Sequence, residues 1–163
     1  MTGAPVTRSF LMHKLGLAAL WMLLLAYPLY PLHPAAAMEF YSIKENGIVL
    51  YDAPSLRAGK LYVASQDLPV EVVVKVEGWV KVRDSSGSLA WVEEAGLSDK
   101  RHVIVTAPVS DVYEAPNDSS RVMFQAALGV ILEWIEPAGV GWVRVRHRDG
   151  QEGYVRTIQV WGA

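Results

Sequence analysis

The sequence contains no cysteine, and this absence excludes several kinds of chemistry. The chain can form no disulfide, no thiolate nucleophile and no cysteine-ligated metal site. A lipid anchor attached through cysteine is excluded as well. The folded protein must therefore be stabilised by burial of apolar side chains rather than by covalent cross-links.

The chain also lacks an excess of basic charge, with 15 Lys and Arg residues against 17 Asp and Glu residues. Arg8 and Lys14 are the only charged residues among the first 37, so a chain without this segment has a net charge of −4 (13 minus 17). No basic field remains to attract nucleic acid, which is therefore not expected as a partner. Anionic polymers in general are not drawn in by long-range charge.

The first 37 residues have the features of an export signal. The two cations precede an apolar run, LGLAALWMLLLAYPLY (residues 15–30), which is shorter than the about 20 residues of a membrane-spanning helix. Ala35 and Ala37 then occupy the small-residue positions that signal peptidase recognises. We predict a signal peptide over residues 1–37, cleavage after Ala37, and an exported protein of the periplasm or cell envelope without a membrane span. The alternative is an uncleaved signal anchor.

The remainder of the chain contains an internal sequence repeat of two copies. VLYDAP (residues 49–54) is matched by DVYEAP (residues 111–116), and GWVKVRDSSGSLAWV (residues 78–92) aligns without a gap to GWVRVRHRDGQEGYV (residues 141–155). These matches predict two similar domains, residues 38–99 and residues 100–163. The junction SDKRH (98–102) is short, which favours packing of the two domains against each other.

Both copies have the pattern of β-strands. PVEVVVKV (residues 69–76) is rich in valine, whose branched side chain favours extended backbone, and WVKVR (residues 79–83) alternates apolar and polar residues. KLYVA (60–64) and RVMFQA (121–126) are further predicted strands, and DSSGS (84–88) and RDG (148–150) have turn chemistry. Because no helical periodicity is found after residue 37, the pattern predicts an all-β fold.

Each half resembles the bacterial SH3-like (SH3b) domain in the order of its motifs. The first half has VLYDAP, PVEVVVKV, GWVKV and AWVEEAGL, and the second has DVYEAP, GVILEWI, GWVRV and GYVRTIQV. The resemblance implies two tandem small SH3-like β-barrels. Many family members have an Asn-Val-Arg-Ser-Gly-Pro-like string in the opening loop, where this chain has Tyr51, Ala53, Tyr113 and Ala115 in place of Arg and Gly. Ligand contacts of that loop are therefore not carried over.

The recurring aromatic and acidic residues are the candidate ligand-binding residues. They are Tyr51, Asp52, Trp79 and Trp91 in the first half, and Tyr113, Glu114, Trp142 and Tyr154 in the second. If the Gly-Trp strand alternates, each tryptophan shares the outer face with two cations, Lys81 and Arg83 or Arg144 and Arg146. Such a face suits carboxylate-bearing peptides, or sugars that stack on the ring. The alternative is that Trp79 and Trp142 cover the open end of a small barrel.

The other candidates also allow two interpretations. Tyr51 and Tyr113 either line a groove beside Asp52 and Glu114, or pack half buried at the rim of the barrel. Trp91 and Tyr154 lie in the closing strand, where packing is favoured over participation in an aromatic groove.

The sequence has no clear catalytic or metal-binding motif. The two histidines after residue 37, His102 and His147, have no sequence neighbour that indicates a catalytic dyad. No spacing of His and Asp predicts a metal site, and no glycine-rich phosphate loop is present. We therefore expect neither catalytic residues nor a cofactor, and a hydrolase is the least favoured class.

The SH3b resemblance implies recognition rather than catalysis. The implied ligand is peptidoglycan, commonly its peptide part, or an envelope protein. The alternative is a protein–protein interaction or inhibitor module that does not bind wall polymer.

Overall fold

The structure is a computed structural model that describes residues 38–163 and residue 3, and its strands form two groups of seven. The strands of the first group are β1 (Phe40–Ile43), β2 (Ile48–Tyr51), β3 (Lys60–Ala64), β4 (Pro69–Val76), β5 (Trp79–Arg83), β6 (Leu89–Glu93) and β7 (Leu97–Ser98). A single-turn 3-10 helix, Glu94–Gly96, joins the last two strands.

The second group repeats this series. Its strands are β8 (His102–Val105), β9 (Val109–Tyr113), β10 (Val122–Ala127), β11 (Ile131–Pro137), β12 (Trp142–Arg146), β13 (Glu152–Arg156) and β14 (Val160–Trp161). A 3-10 helix, Thr157–Gln159, again precedes the last strand.

Each group forms one antiparallel sheet, and the two sheets have the same topology. Their strand orders are β3-β2-β6-β5-β4-β1-β7 and β10-β9-β13-β12-β11-β8-β14. The register slips between Val72 and Val74 in β4, and between Trp134 and Glu136 in β11. Such bulges increase the local twist, so that each sheet curls around its own core. The prediction of an all-β fold built from two similar units in tandem is confirmed.

Alternating side chains build the two cores. In β5, Val80 and Val82 are buried while Trp79 and Lys81 are partly exposed, as the alternation predicts. The first core comprises Ile43, Leu50, Ala64, Val70, Val80, Val82, Ala90 and Val92. The second comprises Val103, Val105, Val112, Ala126, Leu132, Val143, Val145, Val155 and Val160. Each domain therefore has a separate, mostly aliphatic core.

Glycine closes the same hairpin turn in both domains. Gly87 has a φ of +88° and donates its N–H to the carbonyl of Asp84. Gly150 has a φ of +92° and donates to the carbonyl of His147. A residue with a Cβ rarely adopts this backbone conformation, so the two predicted turns have the same physical basis.

A buried polar contact joins the two domains. Nδ1 of His102 in β8 lies 2.9 Å from Oγ of Ser42 in β1, and the two side chains are 4 % and 0 % exposed. Nε2 of His102 lies 3.5 Å from the carboxylate of Asp67 in the β3–β4 loop. Nearby, the rings of Phe40 and Trp161 pack edge to face with centroids 5.1 Å apart. The domains are thus connected by specific side-chain contacts as well as by the chain.

Arg101, in the short junction, adds a second set of contacts. Its guanidinium lies 4.3 Å from the ring centroid of Trp134 and 5.8 Å from that of Phe40. Its Nη2 donates a hydrogen bond of 2.8 Å to the carbonyl of Gly162. Burial lowers the pKa of this group and makes these contacts with aromatic rings stronger than they would be in water.

The local predictions agree closely with the structure. The strands predicted over residues 60–64, 69–76 and 79–83 have those bounds, and the strand predicted over residues 121–126 is found at Val122–Ala127. Within the described residues, no helix is long and apolar enough to cross a membrane. The signal peptide over residues 1–37, the cleavage after Ala37 and the alternative anchor lie outside the described residues. The domain boundaries stay predictions.

Candidate functional site

The register of the first sheet brings three of the candidate aromatics to its outer face. Lys81 in β5 lies opposite Trp91 in β6, and Trp79 lies opposite Glu93. Tyr51, at the end of β2, pairs with Trp91 on the other side of β6. Side chains directly opposite each other in a sheet project to the same face. Tyr51, Trp91, Lys81 and Trp79 therefore form one continuous surface, which we call the first outer face.

The second sheet repeats this arrangement. Trp142 in β12 lies opposite Arg156, and Arg144 lies opposite Tyr154 in β13. Tyr113 in β9 pairs with Tyr154. These residues form the second outer face, so the structure brings the predicted aromatic residues of each copy together.

A tyrosine and a tryptophan pack edge to face in each copy. The ring centroids of Tyr51 and Trp79 are 5.4 Å apart with an interplanar angle of 84°, and those of Tyr113 and Trp142 are 5.6 Å apart with an angle of 87°. Tyr51 is 7 % exposed and Trp142 is 6 % exposed. An edge-to-face pair contributes about 0.5–1.5 kcal/mol beyond the area it buries. The pairs thus stabilise the sheets, and in each pair one ring has little free surface.

The two candidate acids close the loops that follow them. The carboxylate of Asp52 accepts a 2.9 Å hydrogen bond from the N–H of Gly59, and a Cβ on Gly59 would lie 2.7 Å from that carboxylate. Glu114 forms an ion pair of 3.3 Å with Arg121, and the backbones of the same two residues are hydrogen-bonded. These contacts indicate that Asp52 and Glu114 stabilise the loops that follow them.

The two outer faces differ in charge and polarity. On the first, Val74 and Leu89 are 43 % and 45 % exposed and lie opposite Lys81 and Arg83. The ammonium of Lys81 is 5.9 Å from the ring centroid of Trp91. Among residues 38–163, no carboxylate lies within ion-pair distance of this lysine. The first outer face is therefore aromatic and aliphatic, with one cation that is not neutralised.

On the second outer face, glutamates occupy the corresponding positions. Arg144 pairs with Glu136 at 3.1 Å and with Glu152 at 2.7 Å. Arg146 pairs with Glu152 at 2.6 Å and with Glu133 at 3.5 Å. Hydrogen bonds from Arg146 and Arg144 lower the pKa of the Glu152 carboxyl, and the pKa values of both arginines are raised. These cations are thus neutralised within the protein.

Trp142 on the second outer face is covered by a cation. The guanidinium of Arg156 lies 4.4 Å from the ring centroid of Trp142, and it is held there by an ion pair with Asp118. Sequence reasoning found the aromatic residues of both faces but missed the contrast between them. The signal was present, because Leu89 aligns with Glu152, but its meaning depends on the residues opposite in the sheet.

A serine, a histidine and an aspartate meet at the domain interface, which sequence reasoning also missed. His102 contacts Ser42 through Nδ1 and Asp67 through Nε2. The order resembles a nucleophile, a base and an orienting acid. However, Ser42 has no exposed surface and lies in β1, paired on both sides by β4 and β7. A substrate cannot reach its hydroxyl in this fold, so the trio acts as a structural link.

Metal ligands do not cluster in the described part of the chain. No group of three or more His, Asp or Glu side chains there could hold a metal ion. The second histidine, His147, contacts Asp149 at 3.0 Å within its own hairpin.

This chain is similar to several solved structures. It is similar to NlpC1 from Trichomonas vaginalis with 14 % sequence identity and a TM-score of 0.37, over 79 % of this chain and 47 % of that one. It is similar to NlpC2 from the same organism with 15 % identity and a TM-score of 0.37, over 76 % of this chain and 48 % of that one. A third similar structure is an NlpC/P60 family protein from Bacillus cereus ATCC 10987, with 17 % identity and a TM-score of 0.34, over 74 % of this chain and 55 % of that one. The chain spans about half the length of these proteins. No curated protein matches it.

Family models give a direct assignment for each half. Two models described as "Bacterial SH3 domain" match residues 44–99 and residues 108–157. Each matched segment lies within one of the two seven-stranded sheets. The chain therefore belongs to the bacterial SH3 domain family and contains two such domains in tandem.

Proposed function

We propose that the protein is an exported, non-catalytic adaptor that binds peptidoglycan through the first outer face. The observation that carries this proposal is the contrast between the two copies. The same sheet surface is aromatic with a free cation, Lys81, in the first domain and is filled by ion pairs in the second. A binding surface must offer groups that are not already satisfied within the protein, and among the described residues Lys81 is such a cation whereas Arg144 and Arg146 are paired.

The chemistry of this face fits a polymer of sugars and peptides. The partly exposed rings of Trp79 and Trp91 offer flat apolar surfaces on which a sugar ring can stack. The ammonium of Lys81 lies beside Trp91 and is placed to pair with a carboxylate of a stem peptide. The exposed Val74 and Leu89 extend the apolar surface at the edge of the rings. Tyr51 is buried and packs against the ring of Trp79, so it stabilises that ring rather than contacting the ligand.

Burial of the contact between Ser42 and His102 supports the proposal that the protein is not catalytic. The one serine–histidine contact of the described residues is enclosed at the domain interface. Export is supported by the apolar run of residues 15–30 and by the cleavage motif ending at Ala37, and it places the adaptor where peptidoglycan is found.

Co-sedimentation of the purified protein with insoluble peptidoglycan tests the proposal. We expect the protein to pellet with the polymer, and we expect Trp91→Ala and Lys81→Glu each to release it to the supernatant. Tyr154→Ala is the matched control, since Tyr154 is the counterpart of Trp91 on the second face. Leu89→Glu is a sharper variant. It places an acid opposite Arg83, as Glu152 lies opposite Arg146, and should abolish pelleting without unfolding.

Two outcomes would contradict the proposal. Failure of the wild-type protein to pellet at physiological salt would exclude wall binding. Equal losses in Trp91→Ala and Tyr154→Ala, with circular dichroism unchanged, would show that the first face has no special role.

A protein partner is the second candidate, and the edge strand β3 favours it. This strand lies at the end of its sheet, and its outward side chains Leu61 and Val63 are exposed. An exposed edge strand is a template for pairing with an extended segment of another protein. Val63→Lys would weaken such a complex in an affinity pull-down from envelope extract, while leaving peptidoglycan binding unchanged.

A further inference from the structure

A cleft of about 280 Å3 lies between the two domains; it is separate from the first outer face, and Arg146 of the second outer face is part of its wall. Gln66 and Asp67 contribute its wall from the first domain, and Arg146, His147 and Arg148 contribute from the second. A more open groove of about 560 Å3 continues from it and shares Asp67 and Arg148. The cleft is near the lower end of the about 300–1,000 Å3 typical of small-molecule sites.

Specific contacts hold this cleft in shape. His102 lines it and is fixed by its buried hydrogen bond with Ser42 across the domain interface. The edge-to-face pair of Phe40 and Trp161 bridges the same interface. A site whose walls are already fixed loses less entropy when a ligand binds.

Most charges in the cleft neutralise one another. The ammonium of Lys100 lies 3.1 Å from the carboxylate of Glu133, and Arg146 also contacts Glu133 at 3.5 Å. His147 is paired with Asp149 in its own hairpin. These groups therefore offer little attraction to a ligand of either sign.

Asp67 and Arg148 are the exceptions. The side-chain partner of Asp67 is His102 at 3.5 Å; burial lowers the pKa of this histidine and so favours its neutral form, and no Lys or Arg of residues 38–163 lies at ion-pair distance from the carboxylate. Arg148 is exposed, and within residues 38–163 no carboxylate lies at ion-pair distance from its guanidinium. The two charges are of opposite sign, line the same cleft and do not contact each other.

The backbone around Asp67 supports a fixed position for its carboxylate. Asp67 has a φ of +68°, the only positive φ of a non-glycine residue among those described. Its N–H donates a 2.8 Å hydrogen bond to the carbonyl of Ile43. Such conformations persist where the surrounding structure enforces them, and they are frequent at functional sites.

We propose that the interdomain cleft binds a small zwitterionic ligand, a free amino acid or a short peptide with both ends free, with its ammonium on Asp67 and its carboxylate on Arg148. The ligand bridges two charges that the protein leaves apart, one from each domain. This site is separate from the first outer face, so it does not depend on peptidoglycan binding.

The test uses the purified protein at neutral pH and low salt, with alanine and alanyl-alanine as probes, followed by NMR chemical shifts of backbone amides. We expect saturable shifts at Gln66, Asp67 and Arg148. N-acetylation or C-terminal amidation of the dipeptide should each weaken binding about tenfold, because each removes one charged contact. Binding of alanyl-alanine without binding of alanine would identify a peptide as the ligand.

Three variants locate the site. Asp67→Asn removes the charge while asparagine still tolerates the left-handed backbone, and Arg148→Gln removes the opposite charge. Each should weaken alanyl-alanine binding about tenfold. Arg57→Gln, at an exposed arginine of the β2–β3 loop that does not line the cleft, should leave it unchanged. Absence of saturable shifts, or equal binding of the blocked and free dipeptides, would overturn the proposal, whatever the result with peptidoglycan.

Discussion

Gly153 lies so close to Tyr113 that a Cβ built on the glycine would be 2.6 Å from the tyrosine carbonyl oxygen. The same Cβ would lie 2.7 Å from Cγ1 of Val112. In the first domain the corresponding residue is Ala90, which faces Val82 as Gly153 faces Val145. In the second domain, β13 therefore packs more tightly on β9 than β6 packs on β2 in the first domain.

We predict that Gly153→Ala destabilises the protein by about 1–3 kcal/mol, as expected for overpacking against the backbone. The matched change Ala90→Gly should cost about 1–2 kcal/mol, because it removes a buried methyl group and gives the unfolded chain more backbone freedom, but it creates no clash. Urea denaturation followed by tryptophan fluorescence measures both. A Gly153→Ala protein as stable as the wild type would show that the strands separate at little cost.

The contact between Ser42 and His102 gives a second prediction. Ser42→Ala removes the partner of a buried ring nitrogen and should lower the free energy of unfolding by about 1–3 kcal/mol. Ser98→Ala, at the half-buried residue that lies opposite Ser42 in β7, is the control and should have a smaller effect, because Ser98 does not contact His102. Loss of the interdomain contact should also split unfolding into two steps. Equal effects of the two changes would argue against a role of this contact in joining the domains.

The pH dependence of stability should depend on His102. Burial lowers its pKa, with Asp67, Lys100 and Glu133 as the charged neighbours that modulate the shift. The unfolded chain therefore binds a proton more readily than the folded one, and stability is lost as pH falls below about 6.5, the usual pKa of histidine. Urea denaturation at several pH values between neutral and pH 5 should show this loss.

His102→Gln should flatten the stability profile over this range. The pKa of the Glu152 carboxyl is lowered, and that of Asp149 is lowered to about 2, so both groups act only at more acidic pH. An unchanged slope in His102→Gln would mean that another group titrates there.

Tyr62 should resist ionisation. Burial and the nearby Asp84, which accepts a 3.2 Å hydrogen bond from its hydroxyl, raise its pKa to about 12. At pH 11 an ordinary tyrosine is about nine-tenths ionised, whereas Tyr62 should remain mostly protonated. Difference absorbance at 295 nm between the wild type and Tyr62→Phe isolates this group. Ionisation near pH 10 in a folded protein would contradict the prediction.

The sequence was sufficient to predict the strands whose formation depends on residues adjacent in the chain. The alternation of WVKVR and the valines of PVEVVVKV fix strands through local backbone preference, and their bounds match the structure. The first strand of each domain, Phe40–Ile43 and His102–Val105, was missed. These strands are short, and their polar residues, such as Ser42 and His102, are buried only because another domain satisfies them.

The character of the candidate site depends on pairing between distant strands. The aromatic residues are visible in the repeat, but the neutralisation of Arg144 depends on Glu136 and Glu152, which lie on two different neighbouring strands. The free cation Lys81 is recognised only when both of its neighbouring strands are known to present Val74 and Trp91. Periodicity along one strand carries no information on these partners.

The order of strands in each sheet has a consequence for how the protein is made. In both domains the first strand is completed by pairing with the last, β1 with β7 and β8 with β14. Contacts between the two ends of a domain form late, since the intervening chain must be ordered first. A domain whose last strand has not yet been made therefore leaves its first strand with an unpaired edge, and its folding is completed only when that last strand pairs.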